Sequence, residues 1–224
     1  MVEIVYKNKN FVVINKPVGI PSQSDTSNDA DAMTLTSDIL KGLNESSDLW
    51  RIHRLDRVVG GLLVFARNKA YAARLSDMVQ KNQMTKEYLA VVEGELTSGE
   101  MSDYLYKDAR QGKSFVVDSE RRGAKLARLE YERIVSKETE KGVKTLVKVR
   151  LHTGRHHQIR AQLSSRGHSL VGDGKYGSHD NKAKTPSLFS YRLTFNIGGE
   201  DASFSIAPDI TKYPWSLFSE DNFK

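Results

Sequence analysis

In HRLDRVVGG, residues 53–61, one carboxylate, Asp56, stands between two guanidinium side chains, Arg54 and Arg57. Two valines, two glycines and the apolar run Leu62 to Phe65 follow. A carboxylate held by fixed cations stays ionised and can serve as a nucleophile or base. The same residues on a solvated surface would form an ordinary ion pair, which contributes little and needs no function. The rest of the chain has to decide between these readings.

A second chemistry-bearing stretch spans residues 141–170. It carries Lys141, Lys144, Lys148, Arg150, Arg155, Arg160 and Arg166 with no Asp or Glu, and His152, His156, His157 and His168 lie in the same window. Such a strip suits phosphate contact or a solvated face. Two literal motif matches weaken on inspection. GDGKYG, residues 172–177, fits the spelling of a dinucleotide-binding loop, but the polar SHDNKAKTPS that follows cannot form the required apolar helix, so these glycines are expected to shape a tight loop. In HTGRHH, His152 and His156 have the spacing of helical zinc ligands. Gly154 interrupts any helix there, no Glu follows the first histidine, and the chain has no cysteine, so a metal site is not expected.

The elements around these stretches read as α+β. Their 224 residues are 38% hydrophobic, enough for a proper core. The 34 basic against 28 acidic residues give a formal charge of +6, which favours an anionic partner. Without cysteine there is no disulfide framework, and a reducing compartment, the cytoplasm, is expected. The N-terminal stretch lacks the apolar core of a signal peptide, and no segment reaches bilayer-spanning length.

EIVYKN and FVVINKP read as short β-branched strands around a polar turn, and SQSDTSNDADAMTLTSD, residues 22–38, as a polar excursion before a helix at LTSDILKGLN. GLLVFAR reads as a buried strand. Asn68 is the expected cap for a helix through KAYAARLSDMVQKN, with Leu75, Met78, Val79 and Asn82 on one face. KEYLAVVEG, SFVVDSE, LARLEYERIV and VKTLVKVRLHTG read as further strands, and SLFSYRLTFNI with ASFSIAP as a hairpin turning at GGED. The expectation is one domain over residues 1–224, a largely antiparallel mixed sheet with few flanking helices.

Taken together, NKPVGIPSQ, HRLDRVVGGLLVFA, KEYLAVVEG, LHTGRHHQIRAQLSSRGHSLVGDGKYG and ASFSIAP resemble, in order and from about Phe11 to Pro208, the pseudouridine synthases of the RluA family. The resemblance implies the pseudouridine synthase catalytic-domain fold. It also implies an isomerase that breaks the N-glycosidic bond of one uridine in structured RNA, rRNA or tRNA, turns the base and rejoins it through C5. No cofactor or metal is implied. Asp56 matches the family's essential aspartate, Arg155 of TGR the basic residue paired with it, and Tyr88 of KEY the tyrosine that stacks on the flipped uracil and is placed to take the C5 proton. Arg54 is the candidate to fill the gap left by the extruded base, with Leu55 turned into the protein. Lys86, Gln158 and Arg160 are expected as supports or phosphate contacts, and Lys148 as a phosphate contact in the basic strip.

The chain departs from the family pattern where Val59 and Gly60 replace small hydroxyl residues, where His156 replaces a threonine, and where Gln162 stands in place of a histidine. Hydroxyl bracing of the aspartate loop is therefore in question. The expectation is a chain that starts at the catalytic domain without a separate N-terminal RNA-binding domain, with RNA contacts made by this one domain, acting as a monomer without an obligate protein partner and away from membranes. Two competing readings are a catalytically silent RNA-binding protein of the same fold and a metal-dependent hydrolase using His152, His156 and His157.

Overall fold

In the computed structural model, residues 1–24, 29–120 and 122–223 are described. Along the chain the strands are β1 (Glu3–Lys7), β2 (Phe11–Lys16), β3 (Trp50–Arg51), β4 (Gly60–Ala66), β5 (Met84–Glu93), β6 (Gly99–Asp108), β7 (Lys113–Val117), β8 (Ala124–Lys137), β9 (Lys144–Leu151), β10 (Leu188–Ile197) and β11 (Glu200–Ser205). The helices are α1 (Ala32–Gly42), α2 (Lys69–Gln80) and α3 (Gln158–Ser164). Two compact units result: Met1–Lys86 with Ser190–Ile206, and Glu87–Phe189 with Ala207–Lys224. None of the helices among the described residues is long and apolar enough to cross a membrane.

In the first unit β1 and β3 flank the pair β2 and β4, β10 lies beside β4, and β11 pairs with β10. The β-branched run of β2 and the whole of β4 are buried on both faces, as central strands with few polar residues must be. Their register sets Val13 opposite Val64 and Lys16 opposite Gly61. Gly61 is obligatory: its φ is +109°, and a Cβ there would lie 2.2 Å from the Ser190 carbonyl oxygen. Asn8 closes the β1–β2 turn by accepting from the backbone N–H of Asn10 and Phe11. Leu75 and Met78 of α2 pack onto Phe11, Val13, Leu62, Val64 and Phe195.

The expected cap at Asn68 is present, its side chain accepting from Tyr71 N–H. Asn82 does not share the helical face, because α2 ends at Gln80 and Asn82 takes φ +56° beyond it. Helix α1 starts three residues before the expected LTSDILKGLN, since Asp31 caps it by accepting from Met33 and Thr34 N–H. Of the polar excursion at 22–38, residues 25–28 lie outside the described residues. The expected hairpin is β10–β11, closed by Gly198 and Gly199, both at positive φ as a tight two-residue turn requires.

In the second unit the strand order is β5-β9-β8-β6-β7, with antiparallel pairing throughout. Strand β6 and helix α3 were not among the expected elements. In β6 only Met101 and Leu105 are buried hydrophobics among polar and half-buried residues, so its alternation is faint. The seven residues of α3 are too few for a helical period to show.

Candidate active site

In the first unit, the stretch between Arg51 and Gly60 carries the charged knot. Leu55 is only 5% exposed, Arg54 is exposed and Asp56 is half-buried, so burial alternates along the stretch as expected for Leu55 turned inward. The backbone is fixed from both sides of Leu55. Ser22 Oγ donates to the Leu55 carbonyl at 2.8 Å and accepts from the Leu55 N–H at 2.9 Å. A turn follows in which Val59 N–H bonds the Asp56 carbonyl at 3.0 Å, and Gly19 N–H reaches the Arg57 carbonyl at 2.8 Å. Arg57 forms an ion pair with Asp29. The bracing that Val59 and Gly60 cannot supply thus comes from Ser22, on the NKPVGIPSQ segment.

Lys16, at the end of β2, is fully buried. Its ammonium donates to the carbonyls of Pro17 at 2.9 Å, Ile20 at 2.8 Å and Arg57 at 3.4 Å, tying the two loops together. Burial pushes its pKa down to about 8; the charge of Asp56 opposes that fall and the charge of Arg57 adds to it. His53 is held neutral, its pKa pushed down to about 3 by burial and by the positive charge of Lys86. Val64 N–H donates to His53 Nε2 at 3.3 Å, which places the imidazole proton on Nδ1. That Nδ1 is enclosed and has no hydrogen-bond partner among the described residues. Lys86 is itself buried, and burial lowers its pKa. Lys16, Ser22 and His53 drew no role from sequence reasoning. The one signal was a lysine closing a strand whose first four residues are all apolar.

In the second unit, Tyr88 is buried on β5 opposite Val149 of β9. Arg155 is exposed in the loop between β9 and α3, and Gln158 holds that loop. Gln158 Oε1 accepts from Arg155 N–H at 3.0 Å and from Thr153 Oγ1 at 2.7 Å, while its Nε2 donates to the Arg128 carbonyl at 3.0 Å. Arg155 Nε donates to the Leu126 carbonyl at 2.8 Å. Gln158 is therefore built as a support. So is Arg160, enclosed with Asp173 in a two-pronged pair at 2.6 and 2.8 Å. Its partner Asp173 belongs to GDGKYG, which forms a tight loop: Gly172 has φ +82°, and a Cβ there would meet Thr185 O at 2.5 Å. Lys148 pairs with Glu132 across to β8 at 2.6 Å.

The four histidines of the basic strip point to different partners. His156 Nδ1 meets Ser114 Oγ at 2.9 Å and His157 Nδ1 meets Tyr176 OH at 3.0 Å, with the two rings stacked at 3.8 Å. His168 meets the Glu93 carbonyl, and His152 lies near Glu130. Gln162 is buried, and its Nε2 donates to Asp103 at 2.6 Å. Asp103 in turn accepts both terminal nitrogens of Arg166, so the position lacking a histidine is filled by a polar brace.

The family model described as RNA pseudouridylate synthase matches residues 10–165. The chain is 30% identical over 207 residues to ribosomal large subunit pseudouridine synthase D of Borreliella burgdorferi, covering 88% of this chain and 62% of that protein. It is 30% identical over 201 residues to tRNA pseudouridine synthase C of Haemophilus ducreyi, covering 85% of this chain and 81% of that protein. The solved structure of human RNA pseudouridylate synthase domain containing 4 superposes with a TM-score of 0.77 at 23% identity, over 96% of this chain and 91% of that one, and so shares its fold.

Proposed function

The chain belongs to the RluA family of RNA pseudouridine synthases, isomerases that convert uridine to pseudouridine in RNA, and from this premise we propose that Asp56 is the carboxylate acting at the target nucleotide, with Arg155 and Tyr88 completing the site. The observation that carries this assignment is the double hold of Ser22 on Leu55. It fixes the backbone on which Arg54 stays exposed and Asp56 half-buried, so an anion is presented in one orientation.

In the proposed reaction the Asp56 carboxylate drives cleavage of the bond between N1 of uracil and C1′ of ribose. The carboxylate bonds to C1′ as N1 leaves with the bonding pair, the released base turns, and C5 bonds to C1′ and expels the carboxylate. The C5 proton passes to the Tyr88 phenol oxygen, directly or through water, as the phenol's own proton passes to solvent and N1 takes up a proton. Arg155 is assigned as the basic residue of the reaction. Arg54 takes the space vacated in the RNA by the extruded base. Gln158 and Arg160 act as supports, Lys148 as a phosphate contact on the basic strip, and Lys86 at the site itself. Residues 1–224 act as one catalytic domain, as a monomer in the cytoplasm. The targets of the two relatives, large-subunit rRNA and tRNA, make both RNA classes the candidates for this chain.

The test is release of tritium from C5-labelled uridine in rRNA and tRNA transcripts, with and without chelator. Parent protein is expected to release tritium in both conditions, and Asp56→Asn to bind RNA without releasing it. Turnover of Asp56→Asn within tenfold of the parent would sink the assignment. Chelator-sensitive release would favour the metal-dependent reading, and no release on any RNA the silent binding protein.

A further inference from the structure

Buried lysines need partners, because a desolvated ammonium is costly unless a carbonyl or carboxylate compensates it. Lys16 has three carbonyls. The buried Lys144 has Asp180 at 3.6 Å and the Lys141 carbonyl at 3.3 Å. Lys86, 8% exposed, has neither hydrogen bond nor ion pair among the described residues. Its Nζ is not one of the fully enclosed atoms left without a partner, so the ammonium is reachable at the end of a covered stem.

The neighbour that senses Lys86 is His53, whose enclosed Nδ1–H is a second donor without an acceptor. Being neutral, His53 adds no repulsion, but it offers Lys86 no counter-charge either. The arrangement is donor-only, and what it lacks is an anion. On β5, Lys86 stands two residues before Tyr88 and on the same side of the strand, where burial alternates from Met84 to Tyr88.

We propose that Lys86 receives a non-bridging oxygen of an RNA phosphodiester next to the target uridine, so that the substrate supplies the counter-charge the folded protein leaves out. This rests on the RNA isomerase reading above and adds a specific backbone contact to it. A point charge suits the role, since a phosphodiester in an extruded nucleotide has to be caught without a fixed two-pronged geometry. A buried cation kept for a ligand also carries a signature that a structural lysine does not: its removal weakens binding while relieving the folded protein.

The experiment compares Lys86→Met and Lys86→Gln with the parent, all in the Asp56→Asn background so that no turnover intervenes. The probe is a fluorescent RNA transcript that active parent protein has been shown to convert. Anisotropy titrations from low to high sodium chloride are paired with thermal melts. Both variants are expected to lose about 5- to 20-fold in affinity at low salt, to show a log-log salt slope shallower by about one, and to melt at or above the parent temperature. A parent-like slope and affinity would overturn the proposal, as would a fall in melting temperature in both variants, which would make the lysine structural. Residual isomerisation by Asp56→Asn alone would overturn the Asp56 assignment while leaving the Lys86 comparison intact.

Discussion

Ser22 holds Leu55 at both ends of its residue, with one hydroxyl serving as donor to the carbonyl and acceptor from the N–H. The hydroxyl is buried, so water cannot replace it. Leu55 joins Arg54 to Asp56, and the clamp therefore governs where the carboxylate sits without touching it. Ser22→Ala is expected to lower kcat by about tenfold or more while KM for RNA stays within about twofold, because only orientation is lost. The melt should show a loss of about 1 to 3 kcal/mol from the two orphaned backbone groups. Equal changes in kcat and KM would place Ser22 in RNA binding instead.

Stability should depend on pH through two buried groups. His53 titrates near 3 in the fold against its ordinary 6.5. Between those values the unfolded chain binds a proton that the folded one does not, so stability present above about pH 6.5 is lost as pH falls toward 3. Lys16 titrates near 8 in the fold against 10.5. There the unfolded chain again holds the extra proton, and this group makes stability rise from about pH 8 to 10.5. Urea midpoints measured from pH 7 down to pH 4 at fixed ionic strength should fall more steeply in the parent than in His53→Phe. Parallel curves would mean that His53 is protonated in the fold.

Arg160 is expected to matter for folding and not for RNA charge contacts. Removing one member of its enclosed pair with Asp173 leaves the other carrying an uncompensated charge, a loss of about 3 to 5 kcal/mol. Arg160→Met should therefore melt far below the parent, yet bind RNA with an unaltered salt slope at temperatures where it is folded. Lys148→Ala removes a half-exposed charge and should flatten that slope by about one while the melt barely moves. A flatter slope in Arg160→Met would return this arginine to the RNA surface.

Strongly patterned elements were legible in the sequence. The apolar runs of β2 and β4, the Asn68 cap and the β10–β11 hairpin all carry their signals locally. Strand β6 was not, because two buried residues in ten give no clear alternation, and the roles of Ser22 and Lys16 were not, because their partners lie 33 and up to 41 residues away. The motif blocks placed Asp56, Arg155 and Tyr88 on a loop and a strand but could not separate surface cations from enclosed ones. Arg160 and Lys148 read alike in the basic strip, and only the fold sets one against Asp173 and the other at the edge of solvent.

Tyr88 has two proposed jobs that a single atom separates. An aromatic ring over a flipped uracil supplies about 1 to 3 kcal/mol of stacking, which phenylalanine largely reproduces. Tyr88→Phe should therefore bind RNA like the parent. The phenol oxygen is the proposed acceptor of the C5 proton, and its removal should lower turnover by about two to four orders of magnitude. Since Tyr88 is buried on β5, the phenylalanine fits the same space and the melt should hold, whereas Tyr88→Ala opens a cavity and loses ring, oxygen and about 3 to 5 kcal/mol of stability together. The base that has been turned and rejoined should accumulate in Tyr88→Phe with its C5 proton still in place, so tritium stays on the RNA after the glycosidic bond has been remade. Parent-rate tritium release from Tyr88→Phe would assign proton removal to another group and leave Tyr88 as a stacking surface alone.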